Sequence, residues 1–308
     1  MAHKSASKTL VVLDVGLSGP TAGLSFKEII SRGEIITLPV EGQKATPIFS
    51  DTQFVALPDG VVYSEQTQRL YYTNMGVPPL NDGSVCSVRL DGTGAQPVLA
   101  PGQIHTPKQL ALDSKNNKLY ISDREGLRVM RCNLDGSALE TLVQTGDFKN
   151  AQDAHDYTKW CKGPSKGNQG RIFCAPMEAS GSREPVCVLD NLPEPIDLDI
   201  DEKTNTLYWT DRGEIPYGNT FNRIQLDVSG TRPAAEHPDA KTGLRHEILV
   251  QNFDEAIGLA RDADTGRWFV SDMGGTVWAF EADGKNKTRI YEDKDRAFTG
   301  IVLARTWN

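Results

Sequence analysis

TLYWTDRGEIPYGNTFNRIQLDVSG, residues 206–230, decides the fold. A β-rich strand closes on Tyr208-Trp209-Thr210-Asp211, a loop carrying Gly and Pro follows, and a second strand runs to a turn at Ser229-Gly230. Weaker copies flank it: RLYYTNMGVPPLNDGSVCSVRLDG from Arg69, KLYISDREGLRVMRCNLDG from Lys118 and RWFVSDMGGTVWAFEADG from Arg267. A unit recurring on this scale is the mark of a solenoid or a propeller.

The copies align on Asn74, Asp123, Asp211 and Asp272, with gaps of 123 − 74 = 49, 211 − 123 = 88 and 272 − 211 = 61 residues. A four-stranded propeller blade takes about 40–45 residues, so the middle gap holds one further, degenerate unit. First strands are expected at 60–64, 109–113, 196–200 and 256–261. Outer strands are expected at 96–100, 140–144, 247–251 and 288–292. The period-2 alternation of Ile196-Asp197-Leu198-Asp199-Ile200 is the clearest strand signal. Between Asp147 and Leu192 only Gly170–Ala175 and Pro185–Leu189 fit strands, so that blade is expected to be abbreviated. Phe298–Ala304 reads as a first strand whose three companions lie at Leu10–Val15, Glu34–Val40 and Thr46–Ser50. The C-terminal strand thus closes a blade begun at the N-terminus and leaves no open edge at the seam. The expectation is an all-β, six-bladed propeller over residues 1–308 as one domain.

The bulk numbers narrow the function. A net charge of −8 speaks against nucleic acid as a partner, because phosphate binding needs a basic face. No apolar run approaches the roughly 20 residues that span a bilayer. The N-terminal apolar stretch, about five residues before Asp14, is too short for a secretory signal. Five cysteines (Cys86, Cys132, Cys161, Cys174, Cys187), without a CxxC pair, read as reduced thiols of a cytoplasmic protein. Asn286-Lys287-Thr288 is a sequon only in form.

Long loops carry function, and the loops after the tetrads are long at 16–33, 75–83, 162–170 and 212–222. Such enlargement on one face points to a pocket over the axis. The insertion at 231–245 falls between third and outer strands, on the opposite face. Loops entering the first strands supply Gln53 and Phe54, His105 with Lys108, Lys159 with Trp160, Glu194, Asp254 with Glu255, and Arg296. Polar groups beside aromatic and Pro residues suit a small-molecule site. The tetrad acids Asp123, Asp211 and Asp272 read instead as ties that hold loop N–H groups. Trp160 also has a plainer reading as core, His105 as a solvated histidine, and Glu194 as a turn-former between two prolines.

Several chemistries lack their motifs. No GxSxG elbow, HExxH or strand-borne GxGxxG is present. The run Pro164–Gly170 lacks the GxxxxGK[ST] of a phosphate loop. A hard cation held on the axis by Glu194, Asp254, Glu255 or Asp197 stays open as a lactonase-type alternative.

The tetrads resemble the YWTD repeats of low-density-lipoprotein-receptor class B propellers, and the segments KGPSKGNQGRIF and LPEPIDLDIDEKTNTLYWTDRGE are similar to stand-alone microbial relatives. One departure stands out: Trp160-Cys161 runs straight into Lys162-Gly163-Pro164-Ser165, where that subfamily usually has a strand pair. Some fungal members are similar to hetero-Diels–Alderases of tropolone–sesquiterpenoid biosynthesis. The resemblance implies a cofactor-free cyclase acting on small hydrophobic substrates, a tropolone-derived quinone methide and a humulene-type olefin. In that reading Phe54 and Trp160 wall the terpenoid, with Gln53 beside them. His105, Lys108, Arg212, Tyr217 and Arg296 are the candidate donors, and Glu194 and Glu255 the acid–base pair. A metal-dependent lactonase or strictosidine-synthase-like enzyme and a non-catalytic protein-binding propeller are the alternatives.

Overall fold

The computed structural model describes residues 6–307 apart from 21, 43, 78–79, 148, 150–169, 179–182, 236 and 240–241. In chain order the first strands are β1 (Ala6–Asp14), β2 (Glu34–Pro39) and β3 (Thr46–Phe49), with a short helix α1 (Phe26–Ile30) in the loop between β1 and β2. Ser25 and Glu28 form a capping box at its start. The next blade is β4 (Pro58–Ser64), β5 (Arg69–Asn74), β6 (Ser84–Arg89) and β7 (Gln96–Leu99). After it come β8 (Pro107–Asp113), β9 (Lys118–Asp123), β10 (Arg128–Asn133) and β11 (Glu140–Gln144). A pair, β12 (Gly170–Cys174) and β13 (Val186–Leu192), follows. Then come β14 (Pro195–Asp201), β15 (Thr206–Asp211), β16 (Thr220–Gln225) and β17 (Glu247–Gln251), and after them β18 (Ala256–Arg261), β19 (Trp268–Asp272), β20 (Thr276–Phe280) and β21 (Thr288–Glu292). The chain ends on β22 (Phe298–Trp307).

These strands make a β-propeller. Among the described residues it has five four-stranded sheets and one two-stranded sheet, β12–β13, so five full blades stand where six, one of them abbreviated, are expected. The first two strands expected of the abbreviated unit fall on residues outside those described. The expected closure is present: β22 pairs antiparallel with β1, from Ala6 opposite Trp307 to Asp14 opposite Phe298. No helix among the described residues is long and apolar enough to cross a membrane.

Blades stack face to face, so their middle strands are buried on both sides. All five residues of β19 are buried, as are the last five of β5. Between the β14–β17 and β18–β21 blades, Tyr208 and Phe221 sit 4.6 and 4.9 Å (ring centroids) from Trp268, and Phe280 lies 5.0 Å from Phe221. Each aromatic contact of this kind adds about 0.5–1.5 kcal/mol beyond simple burial.

Two repeated devices pin one blade to the next. The third tetrad residue carries a hydroxyl: Thr73 Oγ1 donates to the Lys108 carbonyl at 2.7 Å, Thr210 Oγ1 to that of Ile257 at 2.6 Å, and Ser271 Oγ to that of Thr299. The third residue of three inner strands is glycine. A Cβ on Gly60, Gly258 or Gly300 would meet the following inner strand at 2.8, 2.5 and 2.5 Å, closer than real side chains pack. Both devices change after β8–β11. There the glycine is replaced by Gln109, and the Ser122 hydroxyl turns back to the Gln109 carbonyl of its own blade at 3.0 Å.

Candidate functional site

The tetrad acids sit where a carboxylate can hold backbone. Asp123 accepts the N–H groups of His105 and Thr106, Asp211 those of Glu194 and Gly213, and Asp272 those of Asp254 and Thr276. Asn74 takes the N–H of Ala56, and Asp14 that of Ala297, which gives the closing blade the same tie. Burial pushes the Asp211 carboxyl up to about 6, although both N–H groups pull the other way. These contacts fix the entry of each inner strand. The residue after each tetrad acid adds a further bond: Val15, Met75, Arg124, Arg212 and Met273 donate N–H to the carbonyls of Ala297, Leu57, Thr106, Glu194 and Glu255.

This register builds a cavity on the axis, about 620 Å³ in volume, within the range of small-molecule sites. Two rings line it. One comprises the second residues of the five inner strands, Asp59, Lys108, Ile196, Ile257 and Thr299. The other comprises the five residues that follow Asp14, Asn74, Asp123, Asp211 and Asp272, namely Val15, Met75, Arg124, Arg212 and Met273. The rings divide by chemistry. Ile196, Ile257, Met273 and Val15 form an apolar arc, and Asp59, Lys108, Arg124 and Arg212 a charged one. The cavity also reaches sideways past Gln109 and Ser122 to Val129, Val143 and Thr145, through the seam where the two blade-pinning devices change.

The charged arc is preorganised. The Lys108 ammonium donates to buried Asp59 and lies 3.0 Å from the Met75 sulfur, while Gln109 Nε2 donates to the other Asp59 oxygen at 3.3 Å. Arg212 Nη2 pairs with Glu194 at 2.6 Å, and Arg212 Nη1 lies 3.8 Å from Glu255. The Arg212–Glu194 pair is partly exposed, so its stability value is only about 0–1 kcal/mol; its consequence is orientation. The same two residues border a rim pocket of about 510 Å³ with Glu255, Tyr217 and the Gly213–Pro216 loop.

The structure therefore brings together some of the residues expected from sequence. Lys108, Glu194 and Arg212 line the axial cavity, and Glu255 and Tyr217 stand on the adjoining rim. Others lie elsewhere. Phe54 packs against the core beneath Phe49, and its carbonyl accepts from Tyr72 and Asn74. Gln53 is exposed in the turn after Asp51. His105 is buried with Nδ1 3.0 Å from the Thr106 hydroxyl. Arg296 is engaged by Asp14, Glu34 and Asp293 at 2.8, 2.7 and 3.1 Å, a knot that anchors the closing strand. Trp160 lies outside the described residues, as do Lys159 and nearly all of the 162–170 loop. No group of three or more His, Cys, Asp or Glu side chains among the described residues is placed to hold a metal ion. Sequence reasoning passed over Asp59, Met75 and Arg124. The signal was the repeat itself: one step past each tetrad acid, and the second residue of each inner strand.

No protein-family model matches the chain. It is 42% identical over 322 aligned residues to the 3-hydroxyacyl-CoA dehydrogenase-like protein LAM1 of Cochliobolus heterostrophus, which covers 97% of this chain but only 65% of that relative's length. It is 36% identical to the low-density lipoprotein receptor-related protein 1 of Pyricularia oryzae, over 96% of this chain and 98% of that one. Among solved structures, a chain of the nidogen/laminin complex superposes with a TM-score of 0.64 at 14% identity, covering 96% and 98% of the two chains. The periplasmic gluconolactonase PpgL of Pseudomonas aeruginosa superposes with a TM-score of 0.54 at 10% identity, covering 96% and 99%. At such identities these structures share the fold alone.

Proposed function

This chain belongs to the same family as the low-density lipoprotein receptor-related protein 1 of Pyricularia oryzae, and on that premise we propose that it is a cytoplasmic, cofactor-free cyclase of the hetero-Diels–Alderase type. The two-stranded sheet is read as the remnant of a sixth blade within one propeller domain. The substrates are a tropolone-derived ortho-quinone methide and a humulene-type olefin. The observation that carries this reading is the divided axial cavity, apolar on one arc and charged on the other. The tropolone–sesquiterpenoid chemistry itself comes from the resemblance in sequence.

The cycloaddition is balanced without an outside reagent. Four π electrons of the heterodiene and two of the olefin become one C–C and one C–O bond plus a relocated double bond. The protein's work is to hold two apolar faces in register, since effective molarity replaces a bimolecular encounter. Lys108 or Arg212 donates to the quinone-methide oxygen, where negative charge develops. Glu194 accepts or returns the proton when a hydroxymethyl precursor loses water to give the heterodiene. Glu255 and Tyr217 extend the site at the rim.

The test is incubation of the protein with a quinone-methide precursor and the olefin. The expected result is one enantiomerically enriched cycloadduct. A product ratio and stereochemistry equal to those in buffer would sink the reading. Because this fold also hosts lactone hydrolysis, a lactone panel belongs in the same assay. Ring opening with no cycloadduct would turn the proposal toward a lactonase.

A further inference from the structure

A second cavity of about 390 Å³ lies against the outward strands of the β8–β11 blade, between it and the β12–β13 sheet. Val129, Val143 and Thr145 line both this slot and the axial cavity, so the two adjoin. Its walls are apolar: Leu142, Phe173, Pro176 and Met177, with the Tyr120 ring. The Tyr120 hydroxyl is already engaged by Arg131 at 3.2 Å.

One residue of the lining does not fit an apolar slot. Arg183 is 8% exposed. Its Nη2 donates to the Met177 carbonyl at 3.2 Å, its Nε has no partner, and no ion pair joins it to a carboxylate among the described residues. A buried guanidinium without a counter-charge is costly, by several kcal/mol for an ion fully removed from water. A ligand carboxylate at the guanidinium end would supply that counter-charge. The planar N–H fork matches a carboxylate, which takes two parallel hydrogen bonds.

We propose that this slot is a second ligand site, for an aliphatic or terpenoid molecule ending in a carboxylate. The hydrocarbon lies along Leu142, Val143, Phe173 and Met177, and the carboxylate pairs with Arg183. Through the shared side chains Val129, Val143 and Thr145, occupancy of the slot alters the wall of the axial cavity. The site does not rest on the cyclase reading, because binding is measured without turnover.

The experiment is calorimetric titration of the full chain with decanoate, and with 1-decanol as the uncharged control. Decanoate is expected to bind the wild type more tightly than decanol. Arg183→Met should weaken decanoate by about tenfold or more, the loss of one charge-assisted contact, and leave decanol unchanged. The same variant should melt no lower than the wild type, because an unpaired buried charge has been removed. If Arg183→Met does not fold, Val129→Trp, which fills the neck shared with the axis, must weaken both ligands. Absence of decanoate binding to the wild type overturns the site, and so does equal decanoate binding in Arg183→Met, or in Val129→Trp where that variant serves as the test. A wild type that binds decanoate yet forms no cycloadduct keeps this site and removes the cyclase.

Discussion

The seam between the β18–β21 blade and the closing blade and the seam that follows β8–β11 use the same positions to opposite ends. At the first, Gly258 lets the next inner strand come within 2.5 Å of a would-be Cβ, and the Ser271 hydroxyl crosses to the Thr299 carbonyl. At the second, Gln109 stands in the glycine position and Ser122 bonds within its own blade. One seam is shut and the other admits the axial cavity to Val129 and Val143. In a ring of blades, closure and function compete for the same residues. Among the described residues, this propeller separates them by position: both blade-pinning devices change together only at β8–β11.

The largest test of the shut side is deletion of residues 298–307, which removes β22 and unpairs β1. We expect loss of the cooperative thermal transition by circular dichroism, and a retained sharp melt would break the comparison at its strongest point. Next, on the charged arc, Lys108→Met is expected to lower the cycloaddition rate by about 10²-fold, as removal of a charge-stabilising donor does, and to lower the melting temperature as well, because buried Asp59 loses its counter-charge; the rate is therefore compared well below the melting transition of the variant. An unchanged rate would shift the donor role to Arg212. Gly258→Ala should cost about 1–3 kcal/mol in denaturant melts through overpacking, whereas Gln109→Ala, which loses a 3.3 Å bond to Asp59 and meets no clash, should cost less, about 1 kcal/mol or under. Equal effects would mean that the two seams are alike after all. Thr210→Val should cost about 1 kcal/mol for the lost inter-blade bond, and Ser122→Ala clearly less.

One further effect is of pH. His246 packs its ring 5.0 Å from Trp209, which itself belongs to the cluster holding Ile172 and Leu189 of the two-stranded sheet. Burial pushes the His246 imidazole down to about 4. The native state therefore takes up fewer protons than the unfolded chain, whose histidine titrates near 6.5. Its contribution to stability is complete above that value and is lost as pH falls toward 4. His246→Phe should flatten that part of the acid limb in pH-dependent melts, and an unaltered slope would exclude His246 as its source.

Much of the architecture was legible because the repeat is a physical unit. Tyr208-Trp209-Thr210-Asp211 and its copies announce a buried middle strand ending in a carboxylate that grips the neighbouring loop, and the strands from Ala256, Glu247 and Thr288 begin and end as the alternation indicates. The seam from Phe298 to Asp14 was also readable, since a lone first strand at one end and three orphans at the other have one economical pairing. The site was read less well. Place in the loops entering the first strands drew attention to Gln53, Phe54 and Arg296, but Gln53 is exposed, Phe54 packs on Phe49 and Arg296 is spent on Asp14, Glu34 and Asp293. What faces the axis is set by register, so short, ordinary positions such as Asp59 and Met75 matter more than conspicuous ones. Of the abbreviated sixth blade, the described residues between Asp147 and Leu192 supply two strands, β12 and β13, and the rest of its expected strands fall on residues outside those described.

The late arrival of β22 has a consequence for synthesis. Asp14 and Phe298 are partners separated by 298 − 14 = 284 residues. At about 5–20 residues per second, β1 leaves the ribosome on the order of tens of seconds before the strand that will cover it. Throughout that interval β1–β3 presents a bare hydrogen-bonding edge of apolar sequence, a ready template for the same edge on a neighbouring nascent chain. A chaperone that masks Leu10–Leu13 until the last strand emerges is expected to raise the yield of folded chain.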